Sequence, residues 1–296
     1  APSLLEPIDG PWGRVQDFGH DPVETWGAII DWAAGLRFDT LVTGVAPYLT
    51  DRIYNQWPFH YLCRFPDDPE ARCFDADAVE RHIETASAIA ALGRERGVKI
   101  MLHHYNLMAP ERWVDARPEL AAKLDAVTDP VWGRRFHNDR MGFLVSNVCW
   151  NDPDVQRFMK SCWRELMTNI PDLGGLMVTT GEFNHCGCEQ CTGGTPSDVM
   201  EVMMGEQTPE ARQARAAMEE RRRAMCLDIL QSCKNVLDEL DRETIVRTWF
   251  MEGWTHKLPD DCTYAIKYSV FDACHGGPDP VVQTWIDAGK KMWITK

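Results

Sequence analysis

The sequence predicts an α/β fold: a (β/α)8 TIM-type barrel with about seven of its strands present and the C-terminal end cut short. Three observations carry that expectation. Short, nearly continuous apolar segments alternate with amphipathic helical ones, the pattern of a parallel sheet covered by helices. Six or seven such units follow one another in 296 residues, where a complete barrel takes about 250. No G-x-G-x-x-G loop follows the first strand, which weakens a dinucleotide-binding alternative. No low-complexity linker divides the chain, so residues 1–296 are read as one domain.

The elements follow in order. A weak first strand lies within Gly13–Gly19. Asp21-Pro22-x-Glu24 then opens a helix as a capping box does, with Pro at its first position, and that helix runs to about Leu36. Asp39–Val45 is the second strand. An aromatic, Pro-rich loop from Tyr48 to Phe74 leads to a helix over about Asp77–Arg96, with Val79, Ile83, Ala86 and Ala90 on one face and Gly97 as its stop. Val98–His104 is the third strand. A long excursion, Tyr105 to Trp150, contains a short helix around Pro118–Leu124. Asn151-Asp152-Pro153 caps a helix that turns Val155, Phe158, Cys162 and Leu166 inward. Gly175–Thr180 is strand four, followed by a cysteine loop and a long charged helix over about Pro209–Leu240. Strands five and six are Thr244–Phe250 and Thr263–Tyr268. A helix over Pro280–Ala288 precedes strand seven, Lys291–Thr295.

Composition narrows the function. A net charge of −14 argues against nucleic acid, which needs clustered cations. The one dense basic run, Arg221–Arg223, stands beside Glu219 and Glu220 and reads as a solvated helix face. No window approaches the roughly 18 consecutive apolar residues of a membrane helix. The N-terminus has neither an initiator Met nor the basic–apolar–small pattern of a signal peptide, as expected of a processed chain or a fragment. Of 11 cysteines, Cys162, Cys226 and Cys233 fall at helix core positions and read as small buried hydrophobes. That usage favours a reducing, cytoplasmic setting and leaves a secreted or periplasmic one open. Nothing in the sequence specifies an oligomeric state.

In a barrel the site forms at the C-terminal ends of the strands. Strand three ends in His103-His104-Tyr105-Asn106, and adjacent strand residues point to opposite faces, so at most one histidine faces the mouth. Strand four ends in Thr179-Thr180-Gly181-Glu182-Phe183-Asn184-His185. Strand five carries Arg247, Trp249 and Glu252, with Trp254 just beyond. Strand six carries Lys267, and Asp272 and His275 follow. Paired carboxylates beside aromatic faces suit glycoside hydrolysis: one is protonated to donate to the leaving oxygen, the other ionised to activate water or attack carbon. The bland reading of each carboxylate is ion pairing at a strand end. It is the weaker reading for Glu182 and the stronger one for Glu252.

The runs PDLGGLMVTTGE (Pro171–Glu182), IVRTWF (Ile245–Phe250) and IKYSVFD (Ile266–Asp272) resemble, in that order, segments of the family 67 glycoside hydrolases, the α-glucuronidases. They are also similar to a wider circle of barrels with family 20-like catalytic domains. The resemblance spans about Pro171 to Lys296. It implies that Glu182, at the place of the family's Ser-Glu-Gly segment, is the general acid. Arg247 matches the Arg of a Trp-Arg-Ala-Phe segment that helps hold the uronic acid. Lys267 and Asp272 match the Lys and Asp of Lys-Asn-Gly-Pro-Ile-Asp-Phe, which makes Asp272 a catalytic base. A second base-side Glu is expected beyond Lys296. The family pattern implies inversion, with the two carboxyls about 6.5–9.5 Å apart. Phe183-Asn184-His185 replaces the family's Lys after the acid and removes a cation from the carboxylate pocket. The expected substrate is therefore a plant or algal oligosaccharide, bound through His103, His104, Asn184, Arg247, Trp249, Glu252 and Lys267, with no cofactor for catalysis. The alternatives are a family 20-like hexosaminidase-type glycosidase, a non-catalytic carbohydrate-binding barrel, or an interaction domain built on the cysteine loop. A zinc amidohydrolase needs a His-x-His at the end of the first strand, and the sequence has none there.

Cys186-x-Cys188-x2-Cys191 puts three thiols on one turn. Thiolates this close repel unless a cation neutralises them, and tetrahedral zinc does so. His185, Cys274, His275 or a distant Cys completes the set. A disulfide or packed reduced thiols is the competing reading. The expected metal is structural: it stiffens the turn after Glu182.

Overall fold

The computed structural model describes residues 22–44, 59–72, 74–105, 107–122, 135–138, 143–179, 186–193, 208–248, 255–267 and 280–295. Six parallel strands form one sheet: β1 (Thr40–Gly44), β2 (Lys99–Tyr105), β6 (Gly175–Thr179), β7 (Glu243–Thr248), β8 (Thr263–Lys267) and β9 (Lys291–Thr295). Their spatial order, β1-β2-β6-β7-β8-β9, follows the chain without reversal. A doubly wound sheet reverses at a switch point, whereas a barrel adds each strand beside the last. The sheet is therefore laid down as a partial (β/α) barrel. The six strands coincide, within two residues at each end, with the second to seventh expected from the sequence. The expected first strand, Gly13–Gly19, lies outside the described residues.

Alternation divides the sheet into two faces. Met101, Met177, Ile245 and Ala265, from four adjacent strands, pack on one another with Val42 against them. Met101, Ile245 and Ala265 are fully buried, as on the inner side of a curled sheet. On the other face Ile100, Leu102, Leu176 and Val178 meet the helices.

Those helices are the expected ones. α1 (Pro22–Gly35) precedes β1, and α2 (Ala76–Glu95) joins β1 to β2. Asp75 caps α2 by accepting from the Ala78 N–H, and Val79, Ile83, Ala86 and Ala90 are all buried. Gly97 ends it at φ +72, a conformation that costs glycine nothing. α4 (Pro153–Asn169) has Asp152 as its cap and buries Val155, Phe158, Cys162, Trp163 and Leu166. α6 (Pro209–Glu239) serves two clusters. Met225, Ile229, Cys233 and Leu237 pack toward α4 and β6, while Cys226 and Leu230 pack with Val246, Tyr264 and Trp285. α7 (Pro280–Asp287) leads into β9. Cys162, Cys226 and Cys233 are buried core residues, as their helical spacing indicates. No described helix is long and apolar enough to cross a membrane.

The excursion after β2 departs from expectation. It builds a second, antiparallel sheet of β3 (Met108–Pro110), β4 (Arg135–Asn138) and β5 (Phe143–Asn147), in the order β3-β5-β4. The expected helix around Pro118–Leu124 is a single 3-10 turn, Pro118–Leu120, while a short helix, α3 (Glu111–Asp115), precedes it. Pro118 suits a first turn, but the backbone turns extended at Ala121, which bridges Val148 instead of continuing a helix. The excursion returns through Val148, bridged to Ala121, and reaches α4 by way of Cys149 and Trp150.

Candidate functional site

Parallel register sets the strand ends level. Tyr105 is paired with Thr179, Thr179 with Arg247, and Arg247 with Ala265; Lys267 is paired with Thr295. The chain leaves β6, β7 and β8 on the same edge. Position 182 follows the end of β6 by three residues, position 249 follows β7 directly, and position 272 follows the end of β8 by five. Positions 247 and 267 share the strand parity of positions 245 and 265. Glu182, Asn184, Trp249, Glu252 and Asp272 themselves lie outside the described residues.

The two histidines of β2 separate as strand geometry requires. His103 shares the parity of Met101 and takes an inner-face position. His104 is on the helix side, buried edge-on against Phe59 and Trp163 with ring centroids 5.1 and 5.8 Å away. Burial lowers its pKa to about 4, so the ring is neutral. His104 is thus a core residue rather than a sugar contact, and only His103 remains a candidate for the mouth. His60 is also held in the core, stacked on Phe65 and Phe158 and lowered to about 3 by burial and then by His104. The sequence offers no mark that separates such a histidine from a functional one.

The cysteine loop forms a compact centre. Among the described residues the Sγ atoms of Cys149, Cys186, Cys188 and Cys191 all lie within 4.8 Å of one another. The fourth member, Cys149, stands at the corner between β5 and α4, and is the distant cysteine the sequence leaves unnamed. Its one local signal is a place just before the Asp152 cap instead of at a helix core position. Cys149 Sγ is 3.8 Å from both Cys188 Sγ and Cys191 Sγ. Cys188 precedes a short helix, α5 (Glu189–Thr192), whose first turn places Cys191 back toward it: the Cys191 N–H donates to the Cys188 carbonyl at 3.0 Å. No disulfide joins the described cysteines, which removes the disulfide reading for these four. Cys186 and then burial push the Cys149 thiol up to about 12, and Cys149 and Cys186 raise Cys191 further. Without a counter-cation the four cannot all ionise; a bound metal ion supplies it, and the set could hold one.

The basic run on α6 is not simply a solvated face. Arg223 pairs with Glu219 at 3.9 Å, but Arg221 Nη1 donates to the Thr192 carbonyl at 3.3 Å and Arg222 turns inward beside Cys191. Charge counting alone misses this, because it depends on where α5 lands.

No protein-family model and no curated protein sequence matches the chain. Solved structures do resemble it. A GH138 enzyme targeting pectin rhamnogalacturonan II matches with a TM-score of 0.52 at 16% identity, over 86% of this chain and 28% of its own. The Flavobacterium johnsoniae chitobiase has a TM-score of 0.49 at 12% identity, over 93% and 36%. Dispersin B has a TM-score of 0.49 at 9% identity, over 92% and 70%. The chain thus spans about a quarter to a third of the first two. The likeness to the pectin-targeting enzyme is one of fold.

Proposed function

We propose that this chain is the catalytic barrel portion of a glycoside hydrolase acting on a plant or algal oligosaccharide. One observation carries the reading: β6, β7 and β8 end level and side by side, so the segments bearing Glu182, Glu252 and Asp272 leave a single edge of the sheet. The fold shared with the GH138 enzyme supports it, and that protein's pectic target falls in the same substrate class. The α-glucuronidase specificity suggested by the sequence finds no support among these neighbours, so the reading stops at the glycosidic bond.

In this reading Glu182 is the protonated acid that donates to the leaving oxygen. Asp272, across a gap of about 6.5–9.5 Å, takes the proton of an attacking water. The two exchange protonation states over one turnover, so no net proton is consumed. Arg247 and Lys267 favour the ionised form of a facing carboxylate or hold an anionic group of the sugar. Trp249 supplies a stacking face, and His103, Asn184 and Glu252 bind hydroxyls. The metal of the cysteine loop is structural zinc and takes no part in the chemistry. Glu182→Gln should lower kcat by about 10²–10⁴-fold and leave oligosaccharide affinity intact. Release of reducing ends from a pectic and hexosaminide panel measures the first, and calorimetric binding the second. Parental turnover in the variant would dismiss the assignment.

A further inference from the structure

We propose that Cys149, Cys186, Cys188 and Cys191 bind one zinc ion as a closed tetrathiolate centre, and that Arg222 is the cation offsetting its charge. The spacing comes first. Zinc–sulfur bonds of about 2.3 Å at tetrahedral angles place sulfurs about 3.8 Å apart. Two of the observed separations are 3.8 Å, and the whole set fits within 4.8 Å. A disulfide needs about 2.05 Å. The donors are soft sulfurs, which select zinc over hard cations. Four protein ligands fill a tetrahedron and leave no position for water, so this centre is structural, not catalytic.

The surroundings are those of a metal thiolate. Cys186 and Cys191 are 3% and 4% exposed. Asn151 donates twice: its side-chain Nδ2 to Cys191 Sγ at 3.1 Å, and its backbone N–H to Cys149. Such N–H donors orient ligands and disperse their charge.

Arg222 is the second, independent observation. Four thiolates around Zn²⁺ leave a net charge of −2. Arg222 and Cys191 line the same recess, of about 320 Å³, at the junction of α6 and the cysteine loop. Nε and Nη2 of Arg222 are buried with no hydrogen-bond partner. Burial pushes the Arg222 guanidinium below its ordinary pKa, and Cys191, then Cys226 and Glu219, oppose that shift. The carboxylate in the same recess, Asp228, accepts from Trp150 Nε1 at 2.6 Å. Two guanidinium nitrogens buried without hydrogen bonds are costly unless they face an anion, and the thiolate centre is that anion.

The centre would fasten three parts of the fold: the β5–α4 corner, the loop leaving β6, and α6. Cys186 is four residues beyond Glu182, so the knot limits where that loop can go.

The test uses the full chain and needs no sugar, so it stands apart from the hydrolase reading. Elemental analysis of purified protein should give one zinc per chain, released when the thiols are titrated with an organomercurial. Cobalt substitution should give tetrahedral d–d bands with the sulfur-to-cobalt charge transfer of four thiolates. A three-thiolate spectrum overturns the four-cysteine set, and one that Cys149→Ser leaves unchanged removes Cys149 from it; iron or no stoichiometric metal overturns the proposal. Cys149→Ser should reduce the charge-transfer intensity and weaken zinc; if that variant fails to fold, the parental cobalt spectrum still decides. Arg222→Gln should weaken zinc about 10- to 100-fold in chelator competition, with Arg222→Lys recovering most of it. Unchanged affinity in Arg222→Gln refutes the charge role. One zinc per chain with no glycosidase activity upholds this centre while removing the hydrolase assignment.

Discussion

Replacing Gly175 with Ala should separate the two strands that frame the proposed acid. Gly175 opens β6 at φ +150 and is paired with Met101 on one side and Glu243 on the other. A Cβ there would lie 1.9 Å from the Glu243 carbonyl oxygen and 2.9 Å from its nitrogen. Both are backbone atoms and cannot rotate away. Ordinary contact is about 3.5 Å, so β6 and β7 would have to part by roughly 1.5 Å at this rung. The unfavourable φ costs about 1–3 kcal/mol and the forced shift about 1–3 more. A loss near 4 kcal/mol corresponds to about 8–16 °C in Tm for a domain of this size. The same displacement would loosen the Glu243 carboxylate from Lys99 and Lys291. Gly35→Ala is the control. No atom lies within 4 Å of its Cβ position at the end of α1, so it should be neutral or stabilising by about 0.4–1 kcal/mol. Scanning calorimetry and urea unfolding of both variants give the answer. A Gly175→Ala protein within about 1 kcal/mol of the parent would refute the close approach of β6 and β7.

Two further outcomes follow from buried charge. Burial lowers His60 to about 3 and His82 and His104 to about 4, so all three are neutral in the folded chain. The unfolded chain protonates them near 6.5. Their contribution is intact above that pH and declines as pH falls toward 4, by about 2 kcal/mol per histidine at pH 5. Urea midpoints at pH 7.5 and 5.0 should show the decline, His60→Phe should reduce it by roughly a third, and a pH-independent midpoint would contradict the assignment. Asp68 is buried, accepts from Trp113 Nε1 at 2.9 Å, and pairs with Arg157 at 2.9 Å and Arg117 at 3.7 Å. Burial alone would raise its pKa, but hydrogen bonds from Arg157 and Trp113 hold it below the usual carboxylate range. Asp68→Ala should cost about 3–5 kcal/mol and Asp68→Asn, which keeps an acceptor for Trp113, about half as much. Equal losses in the two would show that the indole contact carries nothing.

The βα order was legible because each unit is local. Helix α2 shows its apolar face and its glycine stop within 22 residues, 76–97, and α4 shows its cap and its apolar face from Asp152 onward. The parallel strands are short apolar runs bounded by turns, which periodicity alone locates to within two residues. The antiparallel sheet was not legible, since β3 has only three residues and finds its partner β5 more than 30 residues further along the chain. At the site, alternation showed that His103 and His104 must part, but not which of them enters the core. Phe59 and Trp163 decide that, and both are remote in sequence. The three cysteines of the loop were visible as a motif. Cys149 and Arg222 were not, because a ligand 42 residues upstream and a cation 31 residues downstream of Cys191 meet it only after α4 and α6 have packed.

The supports of β6 suit the acid proposed for the segment that follows it. At its first residue the strand is seated against β7 by the close approach at Gly175, with Glu243 bridging Lys99 of β2 and Lys291 of β9 beneath it. Beyond its last residue the chain runs six residues, 180–185, before Cys186 ties it to the corner before α4. A segment of that length fixed at both ends has far fewer conformations than a free loop, and closing it costs little more than closing a shorter one. A carboxyl that must sit within hydrogen-bond reach of a leaving oxygen gains from such restraint, because positioning errors of about 1 Å cost roughly 10²-fold in rate. Under the proposed function, restraint at the cysteine end would make catalysis at position 182 sensitive to Cys149 and Arg222, neither of which would need to touch the sugar.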